Sequence, residues 1–159
     1  MVWYFAYGRN MDRAVMVSRK APFSEESAAI LKDYKLVFNK KRGDTPGGGY
    51  ANVIDCAGSE VEGVAYKITE DGLRKLDVPE GCYPGNAQKS SYLREPHSIT
   101  LGSGKVVEAE VYFATPQYIH EGLKPKKEYM YNLLVGALQH NLSEEYIRKL
   151  VAVEVVDNP

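Results

Sequence analysis

Two short stretches carry residue types that could do chemistry. In "YFAYGRNM", Tyr4 to Met11, an apolar run meets Gly8 and then the polar pair Arg9 and Asn10. Asp12 follows as a helix cap, so the amides of Arg9, Asn10 and Met11 would lie near a helix N-terminus. Such amides suit a carboxylate or a developing oxyanion, and Gly8 would let a ligand approach the backbone closely. On composition alone, an ordinary strand-to-helix turn is the commoner reading. In "LDVPEG", Leu76 to Gly81, Pro79 should end a helix and leave Glu80 where the chain turns. Flanked by apolar residues and Tyr83, its carboxyl would be partly desolvated and its pKa raised toward the range useful for proton transfer. Taken alone, a surface turn glutamate is again commoner.

Other candidates carry less. "GDTPGGG" lacks the lysine and hydroxyl residue that complete a phosphate loop. His97, His120 and His140 share no motif, and Cys82 has no histidine partner placed by one, so a packed thiol is expected. The 12 tyrosines are read as barrel and interface filling, with some lining a pocket.

The elements that must position these residues follow from periodicity. Val2 to Ala6 is nearly all apolar, as in a central strand covered on both faces. Asp12 caps a short helix to about Ser18, and Ala28 to Lys40 is extended. Arg42 to Tyr50 is a loop, since Pro46 and three consecutive glycines cannot hold an element. "VEGVAYKI" puts Val64, Tyr66 and Ile68 on one strand face. Thr69 caps a helix with Glu70 and Asp71 at its positive end, Leu73 and Leu76 on its inner face, and Pro79 as its stop. "SYLREPHSITL" is extended, and Pro96 makes it an edge strand. "VVEAEVYFA" alternates, with Val107, Ala109, Val111 and Phe113 inward and Glu108, Glu110 and Tyr112 outward. Met130, Leu133, Leu134, Ala137 and Leu138 follow the spacing of an amphipathic helix. Asn141 ends it, and Ser143 caps the next. Strands first and helices short or late make the class α+β.

The bulk composition narrows the partners. At 159 residues and 17.8 kDa the chain fits a single domain spanning 1–159. A formal net charge of -1 and a pI near 6.3 give no reason to expect nucleic acid or an anionic membrane as partner. No run approaches the roughly 18 apolar residues of a membrane span. Cys56 and Cys82, with no secretory leader, suggest a reducing, cytoplasmic setting, although a single disulfide would fit too. No zinc spacing is present.

Taken in order, the pieces resemble the γ-glutamylcyclotransferase family. That family opens with a strand running into Tyr-Gly-Ser-Asn-Leu/Met; this chain reads Tyr7-Gly8-Arg9-Asn10-Met11. Its middle carries a helix ending in Leu-Asp, then two residues and Glu-Gly, matched by Leu76-Asp77 and Glu80-Gly81. Tyr129, Gly136, Ala137, Leu142 and Tyr146 match its tail. Each motif is weak alone, but the three in order span almost the whole chain. The resemblance implies a small mixed β-barrel of about six strands with peripheral helices. It also implies that the amides of Tyr7 to Met11 hold a γ-glutamyl group while Glu80 is the catalytic acid/base. Tyr129 and either Tyr83 or Tyr92 would stand beside the pocket. Arg9 replaces the family's serine, and the segment between Glu80 and Tyr92 is longer than the family pattern.

The chemistry implied is that of an acyltransferase or lyase releasing 5-oxoproline from γ-glutamyl amino acids or γ-glutamylamines. The substrate's α-amine closes a five-membered ring on its γ-carbonyl, so orientation and one proton-shuttling carboxyl suffice. No metal or cofactor is required, and the chain would act as a monomer or homodimer. The alternative from another class is a non-catalytic module that keeps the pocket for a small carboxylated ligand. A structural barrel without a pocket ranks last.

Overall fold

The computed structural model describes residues 1–42 and 47–156. In chain order the elements are β1 (Val2–Ala6), α1 (Arg13–Ser18), β2 (Phe23–Lys40), β3 (Tyr50–Ile68), α2 (Glu70–Glu80), β4 (Tyr92–Leu101), β5 (Val106–Ala114), α3 (Lys127–Gln139) and α4 (Glu144–Val151). A single 3₁₀ turn, Arg9–Met11, lies between β1 and α1. Among the described residues no helix is long and apolar enough to cross a membrane. Both cysteines are free thiols.

The strands close into a barrel in the order β1-β3-β2-β4-β5. Neighbours pair antiparallel except β1 and β5, which run parallel through Trp3↔Ala109 and Tyr4↔Glu110. The sheet is therefore mixed, as expected, but it has five strands rather than about six. The reason lies in the β2–β3 hairpin, whose strands run 18 and 19 residues. Register shifts at Phe23/Glu25, Lys32/Tyr34 and Val37/Lys40 bend this ribbon around the barrel, so long bulged strands do the work of extra short ones. β2 thus begins before Ala28, and β3 takes in the stretch from Ala51 to Glu60 that carries no clear alternation. Of the loop expected over Arg42 to Tyr50, Tyr50 is already strand, and residues 43–46 lie outside the described residues.

Two cores lie on opposite faces of the sheet. Phe5, Val53, Val61, Ile99 and Val111 fill the barrel interior. Tyr4, Ala6 and Tyr66 point the other way and pack under Leu73 and Leu76 of α2 and Leu133 of α3. Adjacent residues of β1 thus enter different cores, as the two-residue period of a strand requires. Each side chain of Leu, Ile or Phe size buried this way contributes about 1.5–3 kcal/mol.

Tyr112 faces out of the barrel as expected, yet it is 3% exposed, because α2 covers that wall. Three local expectations are corrected. Leu138 is 63% exposed, and Gly136 takes the buried position on α3 instead. Pro79 does not stop α2; it sits in the last turn, and Gly81 ends the helix at φ 63. Pro96 is not on a free edge strand, since the barrel is closed. β4 meets β2 only at Thr100 and Leu101, so Pro96 lies where β4 pairs on its β5 side alone.

Candidate active site

The first wall of the site is the turn after β1. Met11 N–H donates to the Gly8 carbonyl at 3.1 Å, closing the 3₁₀ turn. Asp12 then accepts from Ala14 N–H and starts α1. Helix α3 fixes this turn from behind. Asn132 donates to Asp12 Oδ2 at 3.0 Å and accepts from Arg9 Nε at 3.1 Å, bracketing the loop. Tyr66 donates to the Met11 carbonyl at 2.9 Å. Gly136 lets α3 come this close, because a Cβ there would lie 2.4 Å from the Met11 carbonyl carbon. At Gly8 the close approach is made by Tyr129, whose hydroxyl would stand 2.9 Å from a Cβ.

The second wall is the end of α2. Thr69 caps the helix by accepting from Gly72 N–H at 2.9 Å. Near the other end, Asp77 accepts from Tyr112 at 2.7 Å and from two nitrogens of Arg94 at 2.8 and 3.1 Å. This bidentate grip ties α2 to β4 and β5 and fixes where Glu80, the last helical residue, projects. Ser91 Oγ donates to the Glu80 carbonyl at 2.9 Å and secures the helix end.

The two walls meet around a cavity of about 150 Å³, lined by Glu80 and by Tyr7, Gly8, Arg9 and Asn10. Asn10 joins them directly, donating to Glu80 Oε1 at 3.1 Å and to the Tyr4 hydroxyl at 2.9 Å. Tyr92 and Tyr129 complete the lining and hold Ala51 between them. Tyr92 donates to the Ala51 carbonyl at 2.6 Å, and Ala51 N–H donates to the Tyr129 hydroxyl at 3.1 Å. Tyr83, the alternative to Tyr92, is 46% exposed in the connection after α2. Met11 does not line the cavity; its side chain is buried in the core under the helices.

Electrostatics set Glu80 apart. Burial pushes its carboxyl pKa above the ordinary 4.5, and the nearby cations Arg19 and Lys40 and the Asn10 hydrogen bond offset part of that rise. Such a carboxyl holds its proton more tightly than an ordinary one while staying within reach of ionisation. Burial raises the phenols of Tyr4, Tyr7 and Tyr92 far above their ordinary value, so they serve as neutral hydrogen-bonding groups. Among the described residues no group of His, Cys, Asp or Glu side chains is placed to hold a metal ion.

The cavity residues that sequence reasoning missed include Arg19, Lys40 and Tyr50. Arg19 stands just past the end of α1 and brings a buried Nε without a hydrogen-bond partner. Lys40 and Tyr50 face each other across the β2–β3 register. No local motif marks them, since each reaches the cavity only through tertiary pairing.

The sequence and the fold match known proteins. A family model described as "Gamma-glutamyl cyclotransferase, AIG2-like" matches residues 4–132. The chain is 31% identical to a Gamma-glutamylcyclotransferase of Bos taurus over 159 residues, covering 97% of this chain and 79% of that one. A Gamma-glutamylcyclotransferase of Homo sapiens is 31% identical over 157 residues, with coverages of 97% and 79%. A solved structure named Gamma-glutamyl cyclotransferase superimposes with a TM-score of 0.84 at 30% identity, covering 99% of this chain and 90% of that one. The chain belongs to the γ-glutamyl cyclotransferase, AIG2-like family of enzymes.

Proposed function

We propose that this protein converts a γ-glutamyl amide into 5-oxoproline and a free amine, with Glu80 as the single proton carrier. The observation that carries this reading is the shared cavity: the Glu80 carboxyl and the Gly8–Asn10 turn line it together, joined by Asn10 at 3.1 Å. Its volume of about 150 Å³ corresponds to room for roughly ten waters, on the scale of a glutamyl group.

In the proposed sequence, Glu80 takes a proton from the substrate's α-ammonium. The freed amine attacks the γ-carbonyl and closes a five-membered ring. Charge gathering on the carbonyl oxygen is met by amides of the turn. Collapse breaks the bond to the leaving nitrogen, and the protonated Glu80 returns its proton there. The ionised Glu80 then takes the second proton from the ring nitrogen, which ends as the lactam N–H, and passes it to the released amine, which departs as an ammonium. Two protons leave the attacking nitrogen and two reach the leaving one, and no protein nucleophile is consumed. A raised carboxyl pKa suits a group that must both accept and donate.

Glu80→Gln is the test. Glutamine keeps the shape and an acceptor for Asn10 but cannot take the ammonium proton, so 5-oxoproline release should fall about 10²- to 10⁴-fold. Affinity for the γ-glutamyl compound should survive. Turnover at the wild-type rate would mean that another group carries the proton. Parallel loss of binding and turnover would point to the non-catalytic reading, in which Glu80 anchors the ligand's amine.

A further inference from the structure

Lys40 has no part in the reaction described so far, yet it is built into the cavity. It lines the same space as Glu80 and is 6% exposed, so its ammonium is held inside the protein. Three tyrosine rings surround the charge, with centroids 5.0 Å (Tyr50), 4.9 Å (Tyr92) and 5.3 Å (Tyr118) away. Ring faces stabilise a cation, but they leave its remaining N–H donors without a counter-ion. The lysine ion pairs among the described residues belong to Lys67, Lys75, Lys124 and Lys149. Burial lowers the Lys40 pKa, and Glu80 opposes that shift across the cavity.

The charge balance points the same way. Arg9, Arg19 and Lys40 line the cavity against a single carboxylate, Glu80. A γ-glutamylamine carries one ammonium and one carboxylate, whereas a γ-glutamyl amino acid brings a second carboxylate on the leaving side. Position separates the two. The glutamyl amine must meet Glu80, and its own carboxylate sits on the same carbon. The leaving residue lies across the scissile bond, toward other space. Such space exists: a hollow of about 240 Å³ adjoins the cavity, and Arg9, Tyr50 and Tyr129 line both. Lys40 lines the cavity and packs on the ring of Tyr50, a residue that also lines the hollow. Arg42 and Lys126 add positive charge there, against Glu128.

We propose that Lys40 grips the carboxylate of the leaving amino acid and so selects γ-glutamyl amino acids over γ-glutamylamines. The assignment rests on the cyclotransferase reading for the direction of the substrate, and the test separates the two. The full chain and Lys40→Met are compared on γ-glutamyl-L-alanine and γ-glutamylethylamine, which differ by the leaving carboxylate. The readout is the ratio of their kcat/KM values, which a reduced folded fraction does not move. Wild type should prefer the alanine compound, and Lys40→Met should lower that preference about 10- to 100-fold, the scale of a lost hydrogen bond to a charged group.

Calorimetric affinities for the same two compounds are measured in Glu80→Gln and in Glu80→Gln with Lys40→Met. If neither compound yields 5-oxoproline but affinity still favours the alanine compound through Lys40, the carboxylate site stands and the catalytic reading falls. An unchanged ratio in Lys40→Met overturns the assignment, whether both compounds lose equally or neither does. So does the absence of any binding preference between the two compounds in Glu80→Gln, where Lys40 is intact.

Discussion

The two walls of the cavity are fixed by different physics. The turn at Gly8 to Met11 is held by shape: Gly136 and Gly8 let α3 and Tyr129 press against backbone, leaving no room for a methyl group. The end of α2 is held by charge: Asp77, 4% exposed, is gripped by Arg94 and Tyr112. A binding wall made of backbone amides must be set by the path of the chain, which side-chain chemistry alone cannot fix. A wall that offers one titrating carboxyl needs a rigid, polar anchor within a helical turn of it. The walls should therefore fail differently, one to added volume and the other to lost charge.

The largest loss of stability is expected at the charged anchor. Asp77→Ala leaves Arg94, whose side chain is 20% exposed, with the longer ion pair to Glu110 at 3.7 Å as its remaining one among the described residues. Removing one partner of a largely buried ion pair costs about 3 kcal/mol or more, here together with the Tyr112 hydrogen bond. Urea unfolding should show a lower midpoint at an unchanged slope. In the surviving folded protein kcat should fall, because Glu80 loses the anchor one turn before it. A midpoint equal to wild type would show that apolar packing by Leu73 and Leu76 fixes α2 without Asp77.

Gly136→Ala tests the other wall. The added Cβ would sit 2.5 Å from the Met11 Cβ and 2.6 Å from its carbonyl oxygen, so the turn must shift. Overpacking of this kind costs about 1–3 kcal/mol. On the proposed reading the displaced amides hold the glutamyl group and meet the charge on its carbonyl oxygen, so KM should rise and kcat should fall together. Fluorescence-monitored melting and steady-state kinetics check the two parts, and an unchanged KM would separate the turn's position from binding.

The comparison also accounts for what the sequence made legible. Both walls carry punctuation that a reader can see: Gly8 at the end of an apolar strand, and Pro79 and Gly81 around Glu80. Their resemblance to a family in the right order supplied the barrel, which local pattern alone did not. The charged residues between the walls were silent. Asn39 and Lys40 are consecutive in β2, yet both are buried, at 8% and 6%. Simple alternation would send one of them to solvent. The register shift between Val37 and Lys40 breaks that alternation, and nothing in "LVFNKK" announces a bulge. Asp77 was visible as half of a motif, but its partners Arg94 and Tyr112 lie on strands that follow it by a long connection. The outward face of Tyr112 is legible but its burial is not, because a strand's period gives its face and not what covers that face. Pro79 misleads in the opposite sense, since α2 runs through it and ends only where Gly81 takes the left-handed conformation.

The smallest expected effect sharpens the contrast within the charged wall itself. Asp77 stabilises the fold, while Glu80 should cost stability, because burial raises its folded pKa above the ordinary 4.5. The folded protein then binds this proton more tightly than the unfolded chain does. Stability therefore falls as pH rises from the ordinary value through the raised one, and it levels off beyond. Glutamine at this position has no proton to lose and keeps an acceptor for Asn10. Glu80→Gln should accordingly melt above wild type at neutral pH, with the gap closing as pH falls below 4.5. A series of melts across that range reads the effect directly. If Glu80→Gln is instead the less stable protein at neutral pH, the ionised carboxylate, with Asn10, Arg19 and Lys40 around it, stabilises the fold. Asp77 and Glu80 would then play one structural role rather than two opposed ones.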